Sequence, residues 1–310
     1  MITRRNFALA SVAATAAATG CSQPETADSS APTPMTKMQL SIHQNTARPA
    51  GYRGSLEGWA KAGIKYVELN DGLLNAFLET DTLDAAKQIL TDNDLTPVSA
   101  VVSAPDLWLP GPEHENALAT WRTRCEQYKE LGLERIYSPS GTNRPVTLED
   151  FAATPGCIRE AGDIAAEYDL TGMIEFTRTS KHLSTLGSAL KVIHEANHPN
   201  ILPMLDFFHF WSGLSKFEDL DMLEHGELAH CHFQDLLDAP RELTDNTYRV
   251  IPGDGVTPIT KIIHKLSEKG YAGALSVELF RQEIVNGDPF TVATEIRTKC
   301  EAVMTEAGVA

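Results

Sequence analysis

The feature that most constrains the fold is a repeated alternation of short apolar runs and longer amphipathic segments, which begins at Met38 and continues to the C-terminus. The apolar runs are continuous in hydrophobicity, as is typical of parallel strands that are buried on both faces. The predicted strands are residues 40–44, 65–69, 96–102, 135–138, 172–176, 201–206, 228–234 and 274–278. The predicted helices are, approximately, residues 55–62, 81–93, 114–131, 148–168, 183–196, 217–223, 259–269 and 290–307.

Eight strand–helix units in about 270 residues match an α/β protein of the (β/α)8 TIM-barrel type in both number and size. A doubly wound open sheet is the alternative, but no glycine-rich nucleotide motif follows the first strand. We therefore predict a TIM barrel over residues 38–310. In such a barrel the active site lies where the C-terminal ends of the strands meet.

Composition limits the classes of partner. The chain has 310 residues, a hydrophobic content of 42% and a formal net charge of −16. A chain of this length can bury a large core. Because phosphate groups are bound by clustered Lys and Arg, the acidic balance argues against nucleic acid and anionic membrane surfaces as partners. The five cysteines have no C-x-x-C spacing, so we do not expect the fold to depend on disulfides.

Residues 1–21 have the features of a targeting segment, with a twin-arginine pattern followed by a short alanine-rich run. The run is too short for a strong membrane span. The segment ends in a lipobox-like Thr-Gly-Cys, whose Cys21 is a candidate for a lipid anchor; simple cleavage near Ala18 is the alternative. Residues 22–37 have the composition of a flexible linker. The sequence thus predicts export by the twin-arginine route, to a periplasmic protein or a membrane-anchored lipoprotein.

Four of the later predicted strands carry, at or near their C-terminal ends, residues that are costly to bury. These are Glu175, Asp206, His232 and Glu278. A carboxylate buried among apolar side chains costs several kcal/mol unless it is paired or bound to a metal. Since strand ends converge in a barrel, we expect these side chains to meet in one site.

The motifs around these residues carry a family resemblance. They are Ile-Glu-Phe at 174–176, Leu-Asp-Phe-Phe-His at 205–209, His-Cys-His-Phe-Gln-Asp at 230–235, Pro-Gly-Asp-Gly at 252–255 and Ser-Val-Glu-Leu-Phe at 276–280. In this order and spacing they resemble the xylose isomerase-like TIM-barrel superfamily, which includes the sugar phosphate isomerase/epimerase family. The N-terminal half fits by pattern only.

The resemblance implies one divalent metal ion bound by Glu175, Asp206, His232 and Glu278. Three carboxylates and an imidazole form a hard, oxygen-rich set that suits Mn, Co, Mg or Zn. The alternative is that the carboxylates pair with Arg or Lys, although basic residues are scarce on these strands. We interpret His230 as structural, on the reasoning that it faces away if His232 faces inward.

The resemblance also implies a carbohydrate substrate and proton transfer beside a carbonyl through an enediolate, with Glu175 and Glu278 as the two acid/base residues. Candidate substrate contacts are His209, Arg241, Glu68, His43 and Trp108. Each has a structural alternative, such as a histidine packed among phenylalanines or a tryptophan packed under a lid. Arg241 stands at a slightly different offset from the loop arginine of the family's epimerases.

The sequence is compatible with several functions. The first is a metal-dependent isomerase or epimerase of a sugar or keto-sugar. The second is a lyase or dehydratase on the same scaffold, for example one that acts by elimination on 3-keto-glycosides. A nuclease and a non-catalytic sugar-binding lipoprotein are weaker candidates. The Pro-Gly-Asp-Gly loop suits either a phosphate cradle or a plain turn, and the turn is favoured. Barrels of this type often form homodimers, but no interface is marked.

Overall fold

The computed structural model describes residues 35–310. The twin-arginine pattern and Cys21 lie outside the described residues, so export and lipidation stay predictions. Within the described part of the chain, no helix combines the length and apolar character that crossing a membrane requires. Its four cysteines, at positions 125, 157, 231 and 300, are buried free thiols.

The strands form a parallel barrel and a small antiparallel ribbon. They are β1 (Gln39–His43), β2 (Tyr66–Leu69), β3 (Thr96–Ala100), β4 (Arg135–Pro139), β5 (Thr171–Glu175), β6 (Ile201–Asp206), β7 (His230–His232), β8 (Asp235–Leu236), β9 (Arg249–Val250) and β10 (Ala274–Val277). The large sheet has the order β3-β2-β1-β10-β7-β6-β5-β4, and β8 pairs with β9. A parallel bridge between Val101 and Tyr137 joins the two edges. The predicted TIM barrel is therefore confirmed.

The helices cover the outside of the barrel. They are α1 (Gly51–Lys61), α2 (Asp71–Leu78), α3 (Leu83–Asp92), α4 (His114–Glu130), α5 (Leu148–Glu167), α6 (Leu186–Ala196), α7 (Phe207–Ser212), α8 (Ile259–Glu268), α9 (Gln282–Val285) and α10 (Pro289–Glu306). Short 3-10 helices occupy Gln44–Ala50, Phe217–Met222, Arg241–Leu243 and Asn246–Tyr248.

Three short helices, α2, α7 and α9, were not predicted, because none has a long apolar stripe; α2 and α7 depend on a side-chain cap. The side chain of Asn70 accepts a hydrogen bond from the backbone of Leu73 and starts α2. In the same way, the carboxylate of Asp206 accepts from the backbone N–H of His209 at 2.8 Å and starts α7. The predicted helix at 217–223 is a 3-10 turn in the structure.

The barrel interior is apolar on one side and polar on the other. Val101, Tyr137, Met173 and Met204 pack together on the side formed by β3 to β6. The other side carries histidines and a glutamate from β1, β2 and β7, all of them buried.

The orientation predicted for His230 is wrong. Its Nε2 lies 2.9 Å from Glu68 Oε2, and β2 and β7 are not neighbours in the sheet, so the contact crosses the barrel interior. The physical reason is the two-residue period of a strand, which places residues 230 and 232 on the same face.

Candidate functional site

The C-terminal ends of four barrel strands bring the predicted metal ligands together. Glu175, Asp206 and His232 are the last residues of β5, β6 and β7, and Glu278 directly follows β10. Asp206 and His232 are register partners in adjacent strands. One ligand atom from each of the four residues lies within 4.8 Å of the others, and all four side chains are buried. We call these four residues the carboxylate cluster.

His232 is the centre of the carboxylate cluster. Its Nδ1 lies 3.1 Å from Glu175 Oε1, 3.1 Å from Asp206 Oδ2 and 3.5 Å from Glu278 Oε2. Its Nε2 lies 3.0 Å from Glu68 Oε1. Burial alone would lower the pKa of His232, but the surrounding carboxylates, first Glu68 and then Glu278, raise it well above its ordinary value.

Arg249 supplies a buried positive charge that the sequence did not predict at this site. Its Nη1 lies 2.7 Å from Asp206 Oδ2 and 2.6 Å from Glu278 Oε2. The guanidinium also lies over the rings of Phe208 and Phe280, 4.6 and 5.1 Å from their centroids. The pairing of carboxylates with a basic residue, which was the alternative to metal binding, therefore occurs at two members of the cluster. The arginine comes from the β8–β9 ribbon and not from a barrel strand.

The three carboxylates differ in their pKa values because their neighbours differ. Burial raises the pKa of Glu175 to about 7. Burial acts in the same direction on Asp206, but Arg249, His209 and His232 together outweigh it and hold the pKa of Asp206 well below its ordinary range. His232 and Arg249 likewise lower the pKa of Glu278. At neutral pH, Glu175 is thus the member of the cluster that most readily holds a proton.

Two amide side chains hold the ionised carboxylates in place. Asn45 donates from Nδ2 to Glu278 Oε1 at 2.8 Å, and Gln234 donates from Nε2 to Asp206 Oδ1 at 2.8 Å. Neither residue was predicted to belong to the site. A signal for Gln234 was available, since it stands two residues after His232 within the same motif and shares its side of the chain.

His209 lies beside the carboxylate cluster, where the sequence placed it. Its ring is buried, with Nε2 3.4 Å from Arg249 Nη2. Nδ1 accepts a hydrogen bond from the backbone N–H of Arg178 at 3.4 Å. Burial lowers the pKa of His209 to about 4, so the ring is neutral at physiological pH.

Glu68 and His43 do not line a pocket, contrary to the sequence-based prediction. Both side chains have no exposed surface. Glu68 accepts from His230 and His232, and His43 Nε2 lies 3.2 Å from the hydroxyl of Tyr137. Because strands 1 and 2 turn these residues inward, they form part of the polar interior of the barrel.

The two remaining candidate substrate contacts lie in different environments, and the role predicted for Arg241 stays a prediction. Arg241 is on an exposed 3-10 helix, where its guanidinium lies 5.8 Å from the ring centroid of Trp211. Trp108 is buried: its Nε1 donates to the carbonyl of Ser138 at 3.1 Å, and its ring packs edge-on against Trp121. Packing, the alternative for Trp108, is therefore correct.

The Pro-Gly-Asp-Gly loop is a turn that is organised by a carboxylate. Asp235 accepts from the backbone N–H groups of Gly253, Gly255 and Thr257 at 3.2, 2.9 and 2.8 Å. A side chain at Gly255 would place its Cβ 2.2 Å from the carbonyl oxygen of Leu236. These amides are thus engaged by Asp235, which agrees with the favoured interpretation of a turn over a phosphate cradle.

A cavity of about 350 Å³ opens at the ends of β3, β4 and β5. Its wall combines apolar surface with hydroxyl and amide groups, the latter from Ser103, Ser138, Thr142, Asn143, Thr177, Thr179 and Ser180. Pro139 belongs to the same wall and is the register partner of Glu175. The cavity therefore adjoins the strand that carries Glu175, and its lining suits a small polar molecule.

Comparison with curated proteins identifies isomerases among the relatives. The chain is 27% identical over 234 residues to the inosose isomerase of Halalkalibacterium halodurans. This match covers 74% of this chain and 82% of that protein. It is 25% identical over 253 residues to the inosose isomerase of Bacillus velezensis, with 79% of this chain and 90% of that protein covered.

Solved structures share the fold. A crystal structure described as the IOLI protein with a binding zinc atom superposes with a TM-score of 0.81 at 22% identity, covering 87% of this chain and 99% of that one. D-allulose 3-epimerase from Methylomonas sp. in complex with D-allulose superposes with a TM-score of 0.69 at 18% identity, and the match covers 87% of this chain and 98% of that one. Residues 56–300 match the family model described as the xylose isomerase-like TIM barrel. The chain belongs to the xylose isomerase-like TIM-barrel family.

Proposed function

We propose that the protein is a metal-dependent isomerase or epimerase that acts on a sugar or keto-sugar. The observation that carries this proposal is the convergence of Glu175, Asp206, His232 and Glu278 within 4.8 Å at the C-terminal end of the barrel. The names of the relatives support it, since they are inosose isomerases, and a structural neighbour is a D-allulose 3-epimerase.

The donor set fits one divalent cation. Three carboxylates and one imidazole are ligands that Mn, Co, Mg and Zn accept, and a structural neighbour binds zinc. The contacts of Arg249 with Asp206 and Glu278 show that this position already attracts positive charge. When bound, a divalent ion would polarise a substrate carbonyl and stabilise the negative charge that develops on its oxygen.

We assign the two proton transfers to Glu175 and Glu278. They project from β5 and β10, which are separated in the sheet by β6 and β7, so their carboxylates approach the centre of the cluster from two directions. The ionised carboxylate of Glu278 would take the proton from the carbon next to the carbonyl, and the electron pair of that C–H bond would form an enediolate. Glu175, whose pKa burial raises to about 7, would return a proton.

The residues around the cluster support these roles by holding charge and excluding water. Asn45 fixes the orientation of Glu278. Arg249 is desolvated and sits beside the position where negative charge would develop, and a fixed charge in a buried site stabilises such a change strongly. His209, neutral and adjacent to Arg249, is placed to contact a substrate hydroxyl.

The test is solvent exchange in the presence and absence of a chelator. The purified protein is incubated in D2O with a panel of ketoses, aldoses and 3-keto-glycosides, and carbon-bound deuterium and products are followed by NMR. We expect deuterium at a carbon next to a carbonyl, loss of this exchange with chelator, and recovery when Mn²⁺ or Zn²⁺ is added back.

The product separates the candidate reactions. An isomerised or epimerised sugar supports the proposal, whereas an unsaturated product that has lost a β-substituent supports the lyase alternative. Exchange that continues unchanged in chelator would refute metal dependence. A protein that binds the metal but exchanges no substrate in the panel would favour a sugar-binding role.

A further inference from the structure

We propose that Glu68 and His230 are positioning residues that orient His232 for metal binding. This inference rests on the proposed function, because it concerns how the imidazole of the carboxylate cluster presents itself to a cation. Glu68 projects from β2 and His230 from β7, so the two residues reach each other across the barrel interior.

The carboxylate of Glu68 contacts two imidazoles at once. Its Oε1 lies 3.0 Å from Nε2 of His232, and its Oε2 lies 2.9 Å from Nε2 of His230. Glu68 and His232 have no exposed surface and His230 is 1% exposed. Since water does not compete for these groups, the two contacts determine the orientation of all three side chains.

The chemistry of an ionised carboxylate selects one tautomer of His232. A carboxylate only accepts hydrogen bonds, so a histidine that binds it must donate from the facing nitrogen. For His232 that nitrogen is Nε2. When a cation binds and displaces the other ring proton, the lone pair of the neutral ring is therefore on Nδ1. Nδ1 is the atom that faces Glu175, Asp206 and Glu278. Glu68 therefore directs the ligating nitrogen toward the cluster, as carboxylate partners of metal-bound histidines do in general.

His230 has the complementary task of holding Glu68. A carboxylate with a single partner can rotate about its terminal bond, whereas Glu68 is held at both oxygens. The burial of an unpaired carboxylate is also costly, and the bond from His230 offsets part of that cost. His230 thus keeps Oε1 of Glu68 directed at His232.

The first experiment measures Zn²⁺ affinity by competition with a chromophoric chelator. Glu68→Gln keeps the shape of the side chain but has one acceptor and one donor, so it cannot accept from both histidines. We expect its Zn²⁺ affinity to be about 10- to 100-fold weaker than that of the wild type. Asp71→Asn is the matched control: it also removes a buried carboxylate, but one that accepts from Ser103. It should retain wild-type affinity.

The outcomes separate this inference from the proposed function. Wild-type protein that binds no Zn²⁺ would overturn the metal site itself. Wild-type protein that binds Zn²⁺ with the same affinity as Glu68→Gln would overturn the inference alone. Equal weakening in Glu68→Gln and Asp71→Asn would show that the loss of any one buried carboxylate charge weakens Zn²⁺ binding, and would also overturn the positioning role.

The second experiment tests His230 by loss and rescue. His230→Leu removes the donor to Glu68, and we expect weaker Zn²⁺ binding. His230→Gln keeps an N–H donor at a similar reach, and we expect it to restore most of the affinity. Equal affinities in the two variants would overturn the role of His230. Thermal unfolding of each variant checks that the barrel is intact.

A measurement on the wild type keeps the inference testable if a variant fails to fold. In Zn²⁺-loaded protein labelled with ¹⁵N-histidine, long-range ¹H–¹⁵N spectra report which ring nitrogen carries the proton. We expect His232 to be protonated at Nε2 and metal-bound at Nδ1. The reverse pattern would overturn the inference, because Glu68 could not then accept from that ring. A second Zn²⁺ bound by Glu68 and His230 would overturn it as well.

Discussion

Replacement of Arg249 by methionine removes a permanent buried positive charge from the site and keeps an apolar stem of similar length. Arg249 is 1% exposed, and its Nη1 lies 2.7 Å from Asp206 and 2.6 Å from Glu278. Removal of one partner from a buried ion pair destabilises a protein by about 3–5 kcal/mol, because the remaining charge is left uncompensated. Since one guanidinium serves two carboxylates here, we expect a loss in the upper part of that range, about 4–5 kcal/mol.

The loss should depend on pH. Arg249 lowers the pKa of both Asp206 and Glu278, so its removal raises these pKa values in the folded state. Between the pKa values of these two groups in the unfolded chain and their raised pKa values in the folded variant, the folded variant binds more protons than the unfolded chain. The stability of the variant therefore falls as the pH rises through this window. The difference between variant and wild type should therefore be larger at pH 8 than at pH 5.

The assay is urea and thermal unfolding of metal-free protein at both pH values. For a domain of this size, 1 kcal/mol corresponds to roughly 2–4 °C, so the midpoint at pH 8 should fall by roughly 8–20 °C. Added Zn²⁺ should raise the midpoint of Arg249→Met more than that of the wild type, since the ion replaces the lost charge.

Arg241→Met is the matched control for this prediction. Arg241 is an exposed arginine that packs on Trp211, and a surface change of this kind typically alters stability by about 0.5 kcal/mol or less. A loss below about 1 kcal/mol in Arg249→Met, or a loss that does not change with pH, would refute the role of Arg249 as the buried counter-charge.

Four further predictions address the site and its surroundings. Asp206→Ala should lose the metal and Glu278→Gln should keep the fold but lose nearly all turnover, as measured by metal analysis and deuterium exchange; unchanged metal stoichiometry in Asp206→Ala would contradict the assigned ligands. His182 is 4% exposed and burial lowers its pKa from 6.5 to about 4. Between these two pKa values the unfolded state binds more protons than the folded state, so the contribution of His182 to stability rises with pH. When the pH falls from about 7.5 to 5, the free energy of unfolding of the wild type should decrease by roughly 2 kcal/mol more than that of His182→Gln, as measured by urea titration. The same pH dependence in both proteins would contradict this. Trp108→Phe should lower stability by about 2 kcal/mol through the lost hydrogen bond and packing without changing KM, and a raised KM would indicate substrate contact.

The barrel could be predicted from local properties of the chain. Continuous apolar runs such as Ile201–Asp206 show burial on both faces, and the regular alternation with helices leaves few topologies. The ends of these runs also placed Glu175, Asp206, His232 and Glu278 in one site. This succeeded because the positions of polar residues at strand ends are read directly along the chain.

The pairings inside the barrel could not be predicted in this way. Arg249 is 43 residues from Asp206 and 29 from Glu278 in sequence, and Glu68 is 164 residues from His232. Glu68 was predicted to line the pocket because it stands at a strand end, and no local motif marked Arg249 as a partner of the carboxylate cluster.

Local features of the chain specified the eight-stranded barrel, the net negative charge and the four residues of the carboxylate cluster, since periodicity and composition can be read without knowledge of distant contacts. The contacts of Glu68 with His232 and His230, and those of Arg249 with Asp206 and Glu278, became visible only in the folded structure. The reason is that closure of the barrel brings β2 opposite β7 and folds the β8–β9 ribbon over the strand ends. Contacts made by such closure depend on the arrangement of the whole sheet and leave no local pattern in the chain.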